Sequence, residues 1–147
     1  MKAVKAVIYS DGASFGNPGK AGIGGVVSMG DETVEFSWSI GVATNNVAEY
    51  SALIEALKKA LEMGASEAEV FMDSELVVKQ INGQYKVKHE NIKPLFKKAS
   101  SLLSSFKKFS VRHIPREKNK RADALSKKGV TAALLCPPAK TGQQDLF

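Results

Sequence analysis

Of the 15 acidic residues in this 147-residue chain, four stand where a carboxylate is not simply solvated. Asp11 ends the apolar run AVKAVIYS and opens the glycine-rich stretch DGASFGNPGKAG. Glu49 precedes Ala52 and Leu53 by one helical turn, on or beside the apolar face of a helical stretch. Asp73 ends EVFM, and Asp123 lies inside ADAL. A carboxylate buried alone is costly, so each needs a counter-charge, hydrogen-bond donors or a metal. Taken singly, an Asp at a strand end or helix start is most simply a cap. Taken together, on elements able to share one end of a sheet, the four repel one another, and hard divalent cations relieve that repulsion. Mg²⁺ takes oxygen ligands and keeps waters alongside phosphate oxygens. Two such ions can activate a water and stabilise the leaving oxygen of an in-line displacement. One cysteine, Cys136, and two histidines argue against zinc.

The elements that must carry these carboxylates can be read from periodicity. Ala3 to Ser10 is apolar and β-branched and runs into a Gly/Pro/Asn cluster, which predicts a strand and then a loop. Ile23 to Met29 and Thr33 to Gly41 flank Gly30-Asp31, a hairpin signal. In the second of these strands Val34, Phe36, Trp38 and Ile40 alternate with polar residues, so Trp38 reads as packing rather than base stacking. Asn46 to Met63 carries Ala48, Ala52, Leu53, Ala56, Leu57, Ala60 and Leu61 at helical spacing, with Gly64 at the C-terminal cap. Ala68 to Met72 is a short strand, and Ser74 caps a helix that Asn82-Gly83 stops. Asn91 to Ser105 is an amphipathic helix with Pro94 in its first turn. Phe109 to Ile114 is the last strand, and a final helix runs from Lys120 to about Lys128. An antiparallel meander of three strands joined to βα units gives an α/β fold, a five-stranded mixed sheet flanked by helices. The folded domain is placed at residues 1–130, and 131–147 reads as a tail that is mobile from Pro137.

Charge divides unevenly between the two halves. Residues 1–73 carry 5 Lys/Arg against 10 Asp/Glu, and residues 74–147 carry 16 against 5. The second half therefore suits a polyanion, although a solvated lysine-rich surface explains the same asymmetry. No apolar run approaches the roughly 18 residues of a membrane helix. The apolar stretch before Asp11 is too short for a secretory signal. One cysteine permits no internal disulfide, and a reducing, cytoplasmic setting is expected.

Four blocks now carry a specific resemblance: YSDGASFGNPGKAGIGG, TNNVAEYSALIEAL, FMDSELVVKQINGQYKVK and VRHIPREKNKRADALSK. In this order and at these spacings they resemble type 1 ribonuclease H over residues 3–129. The resemblance implies the ribonuclease H-like fold and hydrolysis of the RNA strand of RNA–DNA hybrids. It implies that Asp11, Glu49, Asp73 and Asp123 are the catalytic, metal-binding carboxylates, holding two Mg²⁺ ions, or Mn²⁺, with substrate bound. His113 takes the place of a mobile histidine that assists water activation or product release. Gly12, Ser14, Asn17, Thr44, Asn45, Asn46 and Gln80 fall at substrate-binding positions; Thr44 and Asn17 also match part of a pocket for a DNA-strand phosphate. Asn45 and Asn46 double as helix-capping residues on a structural reading, and His89 matches nothing.

The chain departs from the family pattern in four ways. Glu75 stands where well-known bacterial members have Gln, and Val42 where some place an Arg in the phosphate pocket. The basic, tryptophan-rich protrusion of some relatives is missing, and no separate hybrid-binding domain is expected. Lys79, Lys86, Lys88 and Lys93 around Tyr85 are offered instead as backbone-tracking contacts, with Tyr85 either stacking on a sugar or packing in the core. The tail ends in QQDLF, similar to the peptide that docks bacterial replication and repair proteins on the DNA sliding clamp, through Gln143, Leu146 and Phe147. A monomer is expected. Two other readings stand beside the hydrolase: a non-catalytic module binding hybrid or double-stranded RNA, and another nuclease or transferase of the same fold.

Overall fold

The computed structural model describes residues 4–135. Five strands, β1 (Lys5–Gly16), β2 (Gly19–Met29), β3 (Glu32–Ala43), β4 (Glu67–Met72) and β5 (Lys108–His113), form one sheet in the order β3-β2-β1-β4-β5. The first three pair antiparallel, and β1, β4 and β5 pair parallel. The expected mixed sheet is therefore present. Helices α1 (Asn45–Glu62), α2 (Glu75–Ile81), α3 (Lys93–Ser104) and α4 (Lys120–Leu135) complete the domain, with a 3₁₀ turn at Arg116–Lys118. Among the described residues no helix is long and apolar enough to cross a membrane.

Two faces of the sheet bury different helices. Ala6, Ile8, Ile23, Val70 and Met72 point into a core closed by Leu53, Ile54, Leu57 and Ala60 of α1 and by Ala99 and Leu103 of α3. The opposite face of β2 is a row of glycines. A Cβ on Gly24 would lie 2.4 Å from the Ser126 nitrogen, and one on Gly22 would lie 2.4 Å from the Ser126 oxygen. Helix α4 therefore rests backbone to backbone on β2. Trp38 packs against the core, with Lys59 over its ring and Phe36 beside it, as the alternation requires.

Three boundaries differ from expectation, each for a tertiary reason. β1 does not stop at Ser10: the small residues Gly12, Ala13 and Ser14 continue pairing with Ile23, Gly22 and Ala21, and only Asn17-Pro18, joined by a cis peptide bond, turns the chain. The alternation of β3 breaks at a bulge opposite Ala21/Gly22, so Ser39 rather than Ile40 is buried. Helix α4 continues through Gly129 to Leu135, past its expected end near Lys128, and Gly129 packs on the Trp38 carbonyl where there is no room for a Cβ. The QQDLF motif and the segment from Pro137 lie outside the described residues.

Candidate active site

The parallel register of β1 and β4 pairs Ser10 with Met72, so Asp11, within β1, and Asp73, just past the end of β4, lie side by side on adjacent strands. Asp73 is followed at once by Ser74, whose hydroxyl accepts from the Val77 amide and starts α2. Glu49 reaches the same place from α1. Its approach is set by Gly12, where a Cβ would fall 2.2 Å from the Ala48 carbonyl carbon. With no side chain there, the first turn of α1 lies against β1, and the Gly12 amide donates to Glu49 Oε1 at 3.1 Å. Carboxylate oxygens of Asp11, Glu49 and Asp73 consequently lie within 4.8 Å of one another. Asp123, in the first turn of α4, is outside that close trio but near enough for its charge to act on Asp11; its own carboxylate pairs with Lys127 at 3.2 Å.

Electrostatics mark this as the costly part of the fold. Burial, then the neighbouring charge of Asp73, pushes the Asp11 carboxyl up to about 7, against a smaller opposing effect of a hydrogen bond from Ser126. Glu49 is raised well above the ordinary carboxylate range, first by desolvation and then by the charges of Asp11 and Asp73. Asp11 and Glu49 therefore hold a proton more readily than ordinary carboxylates, and a hard cation can take its place. Oxygen donors on three separate elements, crowded and desolvated in this way, fit a divalent cation well.

Two neutral side chains that sequence reasoning passed over complete the enclosure. Asn119 is buried, and its Nδ2 donates to Asp73 Oδ2 and to the Ser10 carbonyl, both at 3.1 Å. The Asn119 Oδ1 and the Ser10 hydroxyl are buried beside the carboxylates without partners among the described residues. Ser126, also buried, donates to Asp11 Oδ2 at 3.0 Å. Neither Asn119 nor Ser126 is marked in the sequence, since their carboxylate partners lie 46 and 115 residues away.

Beside the carboxylates a second group of polar side chains is wired together. The Asn45 amide donates to Asn17 Oδ1 at 3.0 Å, the Ser14 amide donates to Asn45 Oδ1 at 3.1 Å, and the Ser14 hydroxyl donates to the Ala43 carbonyl at 2.8 Å. Thr44, rather than either asparagine, caps α1 by accepting from the Val47 amide. The oxygens of Asn17 and Asn45 thus hold backbone, and their exposed NH₂ groups have no protein partner among the described residues. Asn46 is half-buried in the first turn of α1.

Other expected residues fall elsewhere. Gln80 is 9 % exposed, and its oxygen accepts from the Tyr50 hydroxyl at 2.7 Å beneath the surface. His113 is exposed at the end of β5, in register with Met72 and outside the carboxylate trio. His89 is exposed, and its carbonyl accepts from Ile92 and Lys93 at the start of α3. Glu75 is ion-paired with Lys79, and Val42 is exposed. Tyr85 is not core: it is 49 % exposed, with the Lys79 ammonium 4.9 Å from its ring centroid. It lines an open groove of about 630 Å³ together with Lys86, Lys93, Phe96 and Lys97.

Comparison with known proteins matches the domain as a whole. A family model described as reverse transcriptase-like matches residues 9–129. Over 133 residues the chain is 46 % identical to the bifunctional protein Rv2228c of Mycobacterium tuberculosis, covering 88 % of this chain and 36 % of that protein. The chain thus spans about a third of the length of that relative. The solved N-terminal RNase H domain of the same protein superposes with a TM-score of 0.87 at 45 % identity, covering 90 % of this chain and 98 % of that one. LC11-RNase H1, solved in complex with an RNA/DNA hybrid, gives 0.82 at 45 % identity, covering 88 % and 99 %.

Proposed function

The chain belongs to the reverse transcriptase-like family, as a type 1 ribonuclease H domain, and from that membership we propose that it hydrolyses the RNA strand of RNA–DNA hybrids with divalent metal. The observation that carries the reading is the trio of Asp11, Glu49 and Asp73 oxygens within 4.8 Å, with Asp123 alongside. Asp11, Glu49, Asp73 and Asp123 would together hold two Mg²⁺ (or Mn²⁺) ions with substrate bound. When bound, the cations supply a nucleophile at neutral pH and charge stabilisation for the leaving oxygen. Everything else is done by the chain. Asn119 and Ser126 orient carboxylates, Gly12 fixes Glu49, and the exposed NH₂ groups of Asn17 and Asn45 donate to base edges and 2′-hydroxyls in the minor groove, with Asn46 beside them. Thr44 and Asn17 adjoin a strand phosphate, and Gly12 and Ser14 present backbone at close approach. His113 is given a supporting part in proton movement or product release from the end of β5. We assign Gln80 a structural role in place of the substrate-binding one expected from sequence, since its oxygen is engaged by Tyr50.

Hybrid is held further out by the basic groove. Lys86, Lys93 and Lys97 line it with Tyr85 and Phe96, a combination suited to tracking a sugar–phosphate strand. The test is cleavage of end-labelled RNA–DNA hybrid, RNA duplex and DNA duplex in Mg²⁺. Cutting confined to the RNA of the hybrid, leaving 5′-phosphate and 3′-hydroxyl ends, is expected. Tight, salt-independent retention without cutting would favour the binding module, and cutting of the DNA duplex would favour a different nuclease. A second partner is proposed from sequence alone: Gln143, Leu146 and Phe147 dock a sliding clamp. A labelled peptide of residues 137–147 should bind a bacterial clamp, and no binding removes this partner. A monomer working in the cytoplasm is the accompanying proposal.

A further inference from the structure

Ser126 is 0 % exposed, one helical turn after Asp123 on α4. Its hydroxyl oxygen is 3.0 Å from Asp11 Oδ2 and 2.8 Å from the Asp123 carbonyl oxygen. A hydroxyl has one proton to give and can also accept. Its one proton can point to either of these two oxygens. Either way the oxygen stays between the two residues. Its position is not set by a flexible contact. The α4 backbone at Ser126 touches β2 at Gly22 and Gly24, and Gly24 is the register partner of Asp11 itself. Strand, carboxylate, hydroxyl and helix therefore form one closed, rigid circuit across 115 residues of sequence.

We propose that Ser126 is a positioning residue for the metal site, fixing one oxygen of Asp11 and tying it to the helix turn that carries Asp123. The two carboxylates are thereby held in one relative orientation before cations bind. This rests on the metal-hydrolase reading above. A hydroxyl is the fitting group here: it orients the carboxylate without adding charge to a site already crowded with like charges, and it needs no more space than the buried helix contact leaves. Supporting groups of this kind commonly change metal affinity by about 10- to 100-fold when removed.

The test is calorimetric titration of Mn²⁺ into the nucleic-acid-free full chain and its Ser126→Ala and Ser126→Thr variants, with thermal unfolding of each metal-free protein alongside. Ser126→Ala should bind Mn²⁺ about ten-fold more weakly while unfolding cooperatively. Its hybrid cleavage should fall at limiting Mg²⁺ and recover toward wild type at high Mg²⁺. Ser126→Thr, which keeps the hydroxyl, should stay within about two-fold of wild type in Mn²⁺ affinity. Wild-type Mn²⁺ affinity in Ser126→Ala overturns the proposal, as does a Ser126→Thr that folds but binds as weakly as Ser126→Ala. Should Ser126→Ala not fold, Ser126→Cys, similar in volume and a weak donor, takes its place with the same two outcomes. Wild-type chain that neither binds Mn²⁺ nor cuts hybrid overturns the metal-hydrolase reading itself, a result distinguishable from failure of the serine alone.

Discussion

Burial of the Asp11 and Glu49 carboxyls costs the fold something that a cation can return. Asp11 is held with its carboxyl near 7, so between about pH 4 and pH 7 the metal-free native state keeps a proton that the unfolded chain has released. Stability of the metal-free protein therefore falls as pH rises through that window, by on the order of 1–4 kcal/mol. Thermal melts in chelator from pH 5 to pH 8 should show the decline, Asp11→Asn should flatten it, and saturating Mg²⁺ should oppose it. A melting temperature that rises across this range contradicts the electrostatic account. Asn119 acts in the same neighbourhood without charge, donating to Asp73. Losing that donor through Asn119→Ala should lower kcat by about ten-fold or more, while KM for hybrid changes little. His113, outside the trio, should matter less: His113→Ala should slow turnover far less than any single trio substitution.

At the scale of elements, the site exists because two helices approach the sheet where glycine lets them. Gly12 admits α1 and Glu49; Gly22 and Gly24 admit α4, bringing Asp123 and Ser126 beside Asp11. Gly24→Ala forces a Cβ against the Ser126 backbone, and its cost should be about 1–3 kcal/mol in urea unfolding, with loss of activity out of proportion as α4 is displaced. A Gly24→Ala variant with unchanged stability and full activity would disprove the close packing. This level also decides how much was legible from sequence. Asp11, Glu49, Asp73 and Asp123 stood out because a carboxylate inside an apolar pattern is locally anomalous. The α2 start at Ser74 and the α3 turn at Pro94 were legible for the same local reason. The extension of β1 through DGASFG was not, since glycine and serine carry weak strand preference and pair there only because β2 is present. Gly129 likewise reads as a helix stop until Trp38 is seen against it. Ser126 and Asn119 are ordinary polar residues whose meaning is wholly tertiary.

Across the whole molecule, the acidic first half supplies three of the four carboxylates, and the basic second half supplies Asp123 and the lysine-lined groove. On the proposed function, metal loading and strand holding are divided along one chain. Without a tryptophan-rich protrusion, hybrid affinity should rest heavily on phosphate contacts and fall steeply with salt. Lys86→Ala with Lys97→Ala should raise KM for hybrid, leave kcat near wild type, and reduce the salt slope of binding by about two. An unchanged slope would remove the groove from the substrate path. The central claim is most directly tested by single-turnover cleavage of saturating, labelled RNA–DNA hybrid in Mg²⁺, comparing wild type with Asp11→Asn and Asp73→Asn. The account predicts metal-dependent cutting of the RNA strand by wild type, stopped by chelator, and a loss on the order of 1,000-fold or more in each folded variant. Wild-type inactivity on hybrid, or cutting that survives either substitution, would contradict it.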